Sequence, residues 1–212
     1  MKISLPKDYS YKDIAVVKNN VLYIHKLGCF QDLMYDLTYA IKDYSKCYYC
    51  SKPLTRKTST LDHMYPRDFG GPTLPENLAV SCMHCNSAKS NMSEEEFFYY
   101  LNLPNERKKE YLRDFGVHTH FLKKWYSPVI HKEWISQEPI NKIVVYFFLG
   151  EGVNGKSYKK VEKAYRKYGR LNRPIIVDRN LKLLDGFNTL LFAKNNSIYV
   201  VPTIVLENVE LS

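Results

Sequence analysis

The sequence predicts an α+β protein: a small metal-stapled module set among helices, followed by a separate α/β unit. Two cysteine pairs, Cys47 with Cys50 and Cys82 with Cys85, each have the Cys-x2-Cys spacing. Such a pair can bring two thiolates to about 2.3 Å from one tetrahedral zinc. The chain between the pairs is long enough for a β-hairpin and too short for a domain. Residues 140–212 then alternate apolar runs with helix-like segments, the pattern of a small α/β fold. The resulting division is 1–46, an extension and one helix; 47–92, the cysteine-bounded module; 93–139, a helical buttress and connector; and 140–212, a basic α/β unit.

Composition bounds the rest. With 212 residues, 45% hydrophobic and 25% charged, the chain can bury a core, and wholesale disorder is excluded. The longest apolar run, Ile143 to Leu149, suits a buried strand and is far too short to span a bilayer. Residues Met1 to Asp8 contain no apolar signal core. Together with zinc-type cysteine usage, this predicts the reducing cytoplasm of a bacterial or phage-infected cell. Cys29 is left over and reads as a small buried hydrophobe. The net charge of +9 and pI near 9.1 favour a polyanionic partner, DNA with RNA not excluded. A protein partner or homo-oligomer is also compatible. Residues 142–194 hold twelve Lys and Arg against four Asp and Glu, nearly the whole excess.

In the first segment Phe30, Leu33, Met34, Leu37 and Ile41 recur at helical spacing and predict a helix with a core-facing stripe. Gly70-Gly71-Pro72-Thr73-Leu74-Pro75 must be a loop. A strand is expected at 77–81 and a helix from about Asn86. Ser93 with Glu96 is a capping-box pattern opening the next helix. Pro104 and Asn105 break it, and a further helix from Glu106 should end at Gly116. His118, His120 and His131 are too loosely spaced for a metal site and read as packing or surface residues. Strands are expected at 142–149, 174–178 and 199–206, with helices near 157–168 and 187–195.

The polar residues inside the cysteine frame carry the chemistry. Asp62 offers a carboxylate to a divalent cation, and neighbouring strand side chains point to opposite faces. His63 can therefore reach a water by another route and accept its proton at neutral pH. Asn86 offers an amide oxygen as a second ligand, and Asn77 can bond two backbone groups and fix the loop. His84, within the second knuckle, reads as structural.

These residues resemble the HNH endonucleases: Cys-x2-Cys, Leu61-Asp62-His63-Met64-Tyr65-Pro66, Gly70-Gly71, Glu76-Asn77-Leu78, then Cys82-x2-Cys85-Asn86 and Lys89. The resemblance implies a ββα-metal fold stapled by a structural zinc on Cys47, Cys50, Cys82 and Cys85. It implies His63 as the general base and Asp62 and Asn86 on a catalytic Mg2+ or Mn2+. Asn77 becomes the asparagine that orients His63, and Lys89 a nucleic-acid contact. Asn86 stands where some members have histidine, which favours magnesium or manganese over nickel or zinc at the catalytic position.

Gly150-Glu151-Gly152-Val153-Asn154-Gly155-Lys156-Ser157 satisfies the phosphate-loop pattern, but too little chain follows for a full ATPase sheet, even with Asp178 ending a strand. The stretches 168–178, 184–188 and 201–205 are similar to ParB-like domains, although Phe187-Asn188-Thr189 stands where that family has arginines. Lys159, Lys160, Lys163, Arg166 and Lys167 form a basic helix face suited to a nucleic-acid backbone. The sequence thus predicts a metal-dependent HNH nuclease of DNA with a basic accessory unit. Two alternatives stay open: a non-cleaving nucleic-acid- or protein-binding regulator of phage or anti-defence type, and a nucleotide switch through the 150–157 loop.

Overall fold

The computed structural model describes residues 1–26, 30–122 (side chains to residue 115), 134–145 and 155–211. The chain forms two compact units. Met1–Lys42, Pro72–Glu76 and His131–Ser212 make the first, and Asp43–Gly71 with Asn77–Ile130 the second. In chain order the elements are β1 (Ser10–Tyr11), β2 (Ala15–Lys18), β3 (Val21–Ile24), α1 (Phe30–Ile41), β4 (Ser59–His63), β5 (Leu78–Cys82), α2 (Met83–Lys89), α3 (Glu94–Asn102), α4 (Asn105–Leu122), β6 (Ser136–Pro139), α5 (Gly155–Tyr168), β7 (Ile175–Asp178), β8 (Leu183–Asp185), α6 (Phe187–Asn195), β9 (Val200–Leu206) and β10 (Val209–Leu211). The α+β class follows. Among the described residues no helix is long and apolar enough to cross a membrane.

The first unit holds two four-stranded sheets, ordered β1-β2-β3-β10 and β6-β9-β7-β8. Ahead of the helix, where the sequence predicts only a short extension, the structure forms a β-meander. Alternation buries Ala15 and Val17 on β2 and Leu22 and Ile24 on β3. Asn19 and Asn20 both take left-handed φ, 51° and 59°, in the two-residue turn between Lys18 and Val21. Asn tolerates that region, and the resulting turn matches the strand twist. On α1 the apolar stripe faces the core as the periodicity requires, with Leu33, Met34 and Leu37 fully buried. The end of the chain returns to its beginning: β10 pairs parallel with β3. The Asn208 side chain accepts from Ile3 N at 2.9 Å and donates to Ile3 O at 2.8 Å.

In the C-terminal part of this unit, β7 pairs parallel with β9 and antiparallel with β8. Of the strand expected at 142–149, residues 146–149 lie outside the described residues; β6 is followed by a 3-10 turn at Ile140–Lys142, and Val144 forms an isolated bridge to Lys182. Residues 146–154, including most of the phosphate-loop pattern, lie outside the described residues, as does Cys29. Asp178 is fully buried and already satisfied, accepting from the backbone nitrogens of Asn180, Lys182 and Leu211 at 2.8–2.9 Å. It ties the β7–β8 turn to β10 and is not poised to hold magnesium.

The second unit is a two-stranded antiparallel hairpin, β4 with β5, followed directly by α2, α3 and α4. Its α2 starts at Met83, earlier than expected, because Cys82 Sγ caps it by accepting from Cys85 N. The capping box on α3 forms as the sequence indicates, with Ser93 Oγ bonded to Glu96 N and Glu96 Oε2 to Ser93 N. On α4 the helix runs through Gly116 to Leu122, because a single interior glycine costs only about 1 kcal/mol against continued backbone bonding.

One glycine of the first unit is fixed by both conformation and space. Gly186 has φ +93°, and a Cβ there would lie 2.9 Å from Ile175 Cα. Gly186→Ala should therefore destabilise the first unit by at least 1–2 kcal/mol, roughly the cost of left-handed backbone alone. Urea denaturation of variant and parent measures the difference.

Candidate functional site

The cysteine cluster comes from two knuckles meeting where β5 gives way to α2. The sulfurs of Cys47, Cys50, Cys82 and Cys85 all lie within 4.8 Å of one another, with Cys50 and Cys82 at 3.9 Å. A tetrahedral zinc with about 2.3 Å bonds needs sulfurs about 3.8 Å apart, so the cluster fits a metal ion such as zinc. All four are free thiols, three of them buried. Backbone amides point at the sulfurs: Cys82 N to Cys47 Sγ at 3.3 Å and Cys85 N to Cys82 Sγ at 3.4 Å. Burial pushes the Cys47 thiol up, but donors from Cys82, Cys50 and Tyr49 outweigh it and bring it to about 7. Burial and the neighbouring sulfurs raise Cys85. Four such groups cannot all ionise together unless a cation is shared. His84 is exposed on the first turn of α2, outside this set.

Beside the knuckles, α2 lies against β4. Asn86 and Lys89, three residues apart, share one helix face. Asn86 Nδ2 donates to Thr60 Oγ1 at 3.0 Å and to Leu61 O at 3.4 Å. Thr60 Oγ1 in turn sits 3.2 Å from the buried Ser81 hydroxyl. One turn further on, Lys89 Nζ donates to His63 O at 2.7 Å and pairs with Asp62 Oδ2 at 3.0 Å. The helix thus meets Thr60, Leu61, Asp62 and His63 in order along the strand.

Asp62 and Lys89 are both buried, with side chains 6% and 0% exposed. Tyr49, from the first knuckle, donates its hydroxyl to the same Asp62 oxygen at 2.5 Å. Burial pushes the Asp62 carboxyl above and the Lys89 amine below their ordinary values, while their mutual attraction opposes both shifts. The expectation that Lys89 contacts nucleic acid is corrected: its ammonium is consumed inside the module. The lysine's position right after the cysteine knuckle in sequence gave no hint of this, since lysine is almost never fully buried without a partner.

The loop after His63 is clamped by Asn77. Its backbone oxygen accepts from Met64 N at 2.9 Å. Its side chain accepts from Tyr65 N at 2.9 Å and donates to Tyr65 O at 3.0 Å. Gly71 closes over this clamp so tightly that a Cβ would lie 2.0 Å from Tyr65 O. His63, at the end of β4 and half-buried, is thus held on one side by Lys89 through its carbonyl and on the other by the Asn77 staple. Among the sequence-predicted site residues, the hairpin and α2 bring together Asp62, His63, Asn77 and Asn86.

Residues 47–101 match the family model for HNH endonuclease. A match at 28% identity over 95 residues, 41% of this chain, relates it to the CRISPR-associated endonuclease Cas9 of Corynebacterium diphtheriae. That match takes in 9% of the relative's length. The matched segment holds both the cysteine cluster and the Asp62–His63 strand end.

The basic residues lie elsewhere. Lys159, Lys160, Lys163, Arg166 and Lys167 are exposed along α5 in the first unit, whose other face carries Tyr158 and Tyr165 onto Phe192 of α6. Arg166 is paired with Glu162 at 2.7 Å, which takes some of its charge from an incoming anion. The side chains of His118, His120 and His131 lie outside the described residues.

Tyr49 and Thr60 were missed by sequence reasoning, since a tyrosine inside a knuckle and a threonine in a strand carry no distinctive signal. Lys89→Met should leave Asp62 buried without its cation and destabilise the second unit by roughly 3–5 kcal/mol. Combining it with Asp62→Asn, which keeps an acceptor for Tyr49, should recover most of that loss. Denaturant titration of both variants tests the pairing.

Proposed function

We propose that the HNH module is a divalent-cation-dependent endonuclease acting on DNA, with His63 as general base. The observation that carries this reading is the strand end itself, where α2 and the Asn77 clamp fix the backbone on both sides of His63. The HNH family match over residues 47–101 supports the same chemistry.

The Asp62 and Asn86 side chains fit a hard cation, Mg2+ or Mn2+. Both known donors to Asp62 reach Oδ2, which leaves Oδ1, and the tied Asn86 Nδ2 leaves its amide oxygen. Oxygen donors of this kind suit such ions. When bound, the cation stabilises the negative charge that develops on the phosphate during attack. The His63 imidazole takes the proton of the attacking water, a role open to it at neutral pH. Asn77 holds Tyr65 and thereby the turn that follows the imidazole. The four thiolates would hold zinc, and with it tie the first knuckle and the hairpin to α2. The α5 lysines grip the nucleic-acid backbone. The ParB-like reading of residues 140–212 stays a proposal carried by its motifs, with the β6-β9-β7-β8 sheet and helices α5 and α6 compatible with a small α/β fold.

A second reading, a zinc scaffold that binds without cutting, has one observation in its favour: Lys89 already neutralises Asp62. Plasmid nicking with Mg2+ or Mn2+, with RNA as a parallel substrate, separates the two readings. Under the nuclease reading His63→Ala lowers cleavage by about 10²–10⁴-fold, the usual contribution of a positioned base. Its zinc content, measured by metal analysis, stays that of the parent. Cys50→Ser loses zinc and the fold of the module, read by circular dichroism. Cleavage by His63→Ala at the parent rate would reject the assignment. Reversing Lys159, Lys160 and Lys163 to Glu should flatten the slope of log affinity against log salt by about 0.9 for each duplex-DNA phosphate no longer neutralised.

A further inference from the structure

The first cysteine knuckle does more than hold a metal. Between Cys47 and Cys50 it carries Tyr49, 7% exposed, with its ring wedged edge-on against Phe97 at 5.0 Å and against Tyr48 at 5.2 Å. Phe98 closes the other side at 5.6 Å. Packing on these sides confines the ring, and its hydroxyl ends on Asp62 Oδ2 at 2.5 Å. Lys89 takes the same oxygen at 3.0 Å. Among the described residues no hydrogen bond reaches Asp62 Oδ1. Two donors converging on one oxygen fix the rotation of the carboxylate and leave the other oxygen for a ligand.

We propose that Tyr49 is a positioning residue for the cation site, through which the cysteine knuckle sets the orientation of the Asp62 carboxylate. This rests on the reading of Asp62 as a cation ligand. It extends that reading, because the metal-held knuckle and the reacting end of β4 become one mechanical unit joined by a phenol. The neighbouring Tyr48 provides an internal contrast: its hydroxyl donates to Glu94 instead of Asp62, and its ring is half exposed. Partners that orient a metal ligand typically affect metal affinity by about 10–100-fold when removed.

The test is Tyr49→Phe in the full chain, which keeps the ring and removes only the hydroxyl. Tyr48→Phe serves as control. Zinc content is measured by metal analysis and thermal unfolding by circular dichroism. Mn2+ affinity of the zinc-loaded protein is measured by electron paramagnetic resonance, alongside the Mn2+ dependence of nicking. The expected result is parental zinc content in both variants, with Mn2+ affinity reduced about tenfold or more in Tyr49→Phe and unchanged in Tyr48→Phe. The Mn2+ concentration for half-maximal nicking should rise by the same factor, with the rate at saturating Mn2+ little changed. In an Asp62→Ala background the added Tyr49→Phe change should have no further effect on Mn2+ affinity. Parental Mn2+ affinity in Tyr49→Phe overturns the proposal and leaves the nuclease reading standing. Loss of zinc from Tyr49→Phe also overturns it, since the hydroxyl would then serve the knuckle and not the carboxylate. A parent protein that neither binds Mn2+ nor nicks DNA overturns both.

Discussion

Four sulfur atoms gathered within 4.8 Å are the constraint on which the second unit depends, and the reason is the size of its core. Its sheet has two strands, and an isolated two-stranded hairpin is at best marginal in water. Of the seven buried residues in its apolar cluster, three are cysteines, the others being Tyr49, Ala79, Met92 and Phe97. Too little apolar surface is removed from water to offset the ordering of the chain. A metal ion on the four sulfurs would supply what is missing, since binding energy of about 10–16 kcal/mol for zinc in small modules counts directly as folding energy. The knuckle then becomes a fixed platform. Tyr48 N bonds to Val80 O at 2.9 Å, so the knuckle lies along β5 and projects Tyr49 toward β4.

On that platform the site is built from buried polar contacts, each of which specifies direction. The Asp62–Lys89 pair is a poor source of stability, because removing two charges from water costs about as much as their attraction returns. What it does supply is geometry. A single ammonium bridges the Asp62 carboxylate and the His63 carbonyl, and so locks two consecutive residues whose side chains leave the strand on opposite faces. Asn77 performs the complementary task with a primary amide, which can both accept from and donate to the backbone of one residue. The first unit uses the same device at Asn208, whose amide holds Ile3. In both places a loop is fixed by one side chain matching the two hydrogen-bonding groups of a single residue.

Much of this was legible along the chain where the signal is local. The α1 stripe, the Ser93 capping box and the cysteine spacing each depend on residues a few positions apart, and each is realised as its local physics requires. The first-segment strands were missed even though the Asn19-Asn20 pair between alternating apolar residues was present. Four-residue strands leave too short a pattern to outweigh a strong helical stripe immediately after them. The expected stop at Gly116 failed for the converse reason: glycine weakens a helix without being obliged to end it, and α4 continues through it. The Lys89 reading failed because a sequence shows that a residue is charged and gives no account of what it is packed against.

The chain by itself determined the thiol set, the Asp62-His63 strand end and the two asparagines, since metal spacing and local turn chemistry are short-range properties. Tertiary structure alone decided that β10 returns to pair with β3, that Asp178 closes a turn and is spent there, and that Tyr49 and Lys89 converge on one oxygen of Asp62. The β10–β3 pairing, the Asp178–Leu211 bond and the contacts on Asp62 all join residues well separated in sequence. Desolvation is the physical reason they could not be read in advance: whether a carboxylate or an ammonium must find a partner depends on its burial, and burial exists only once the chain has folded.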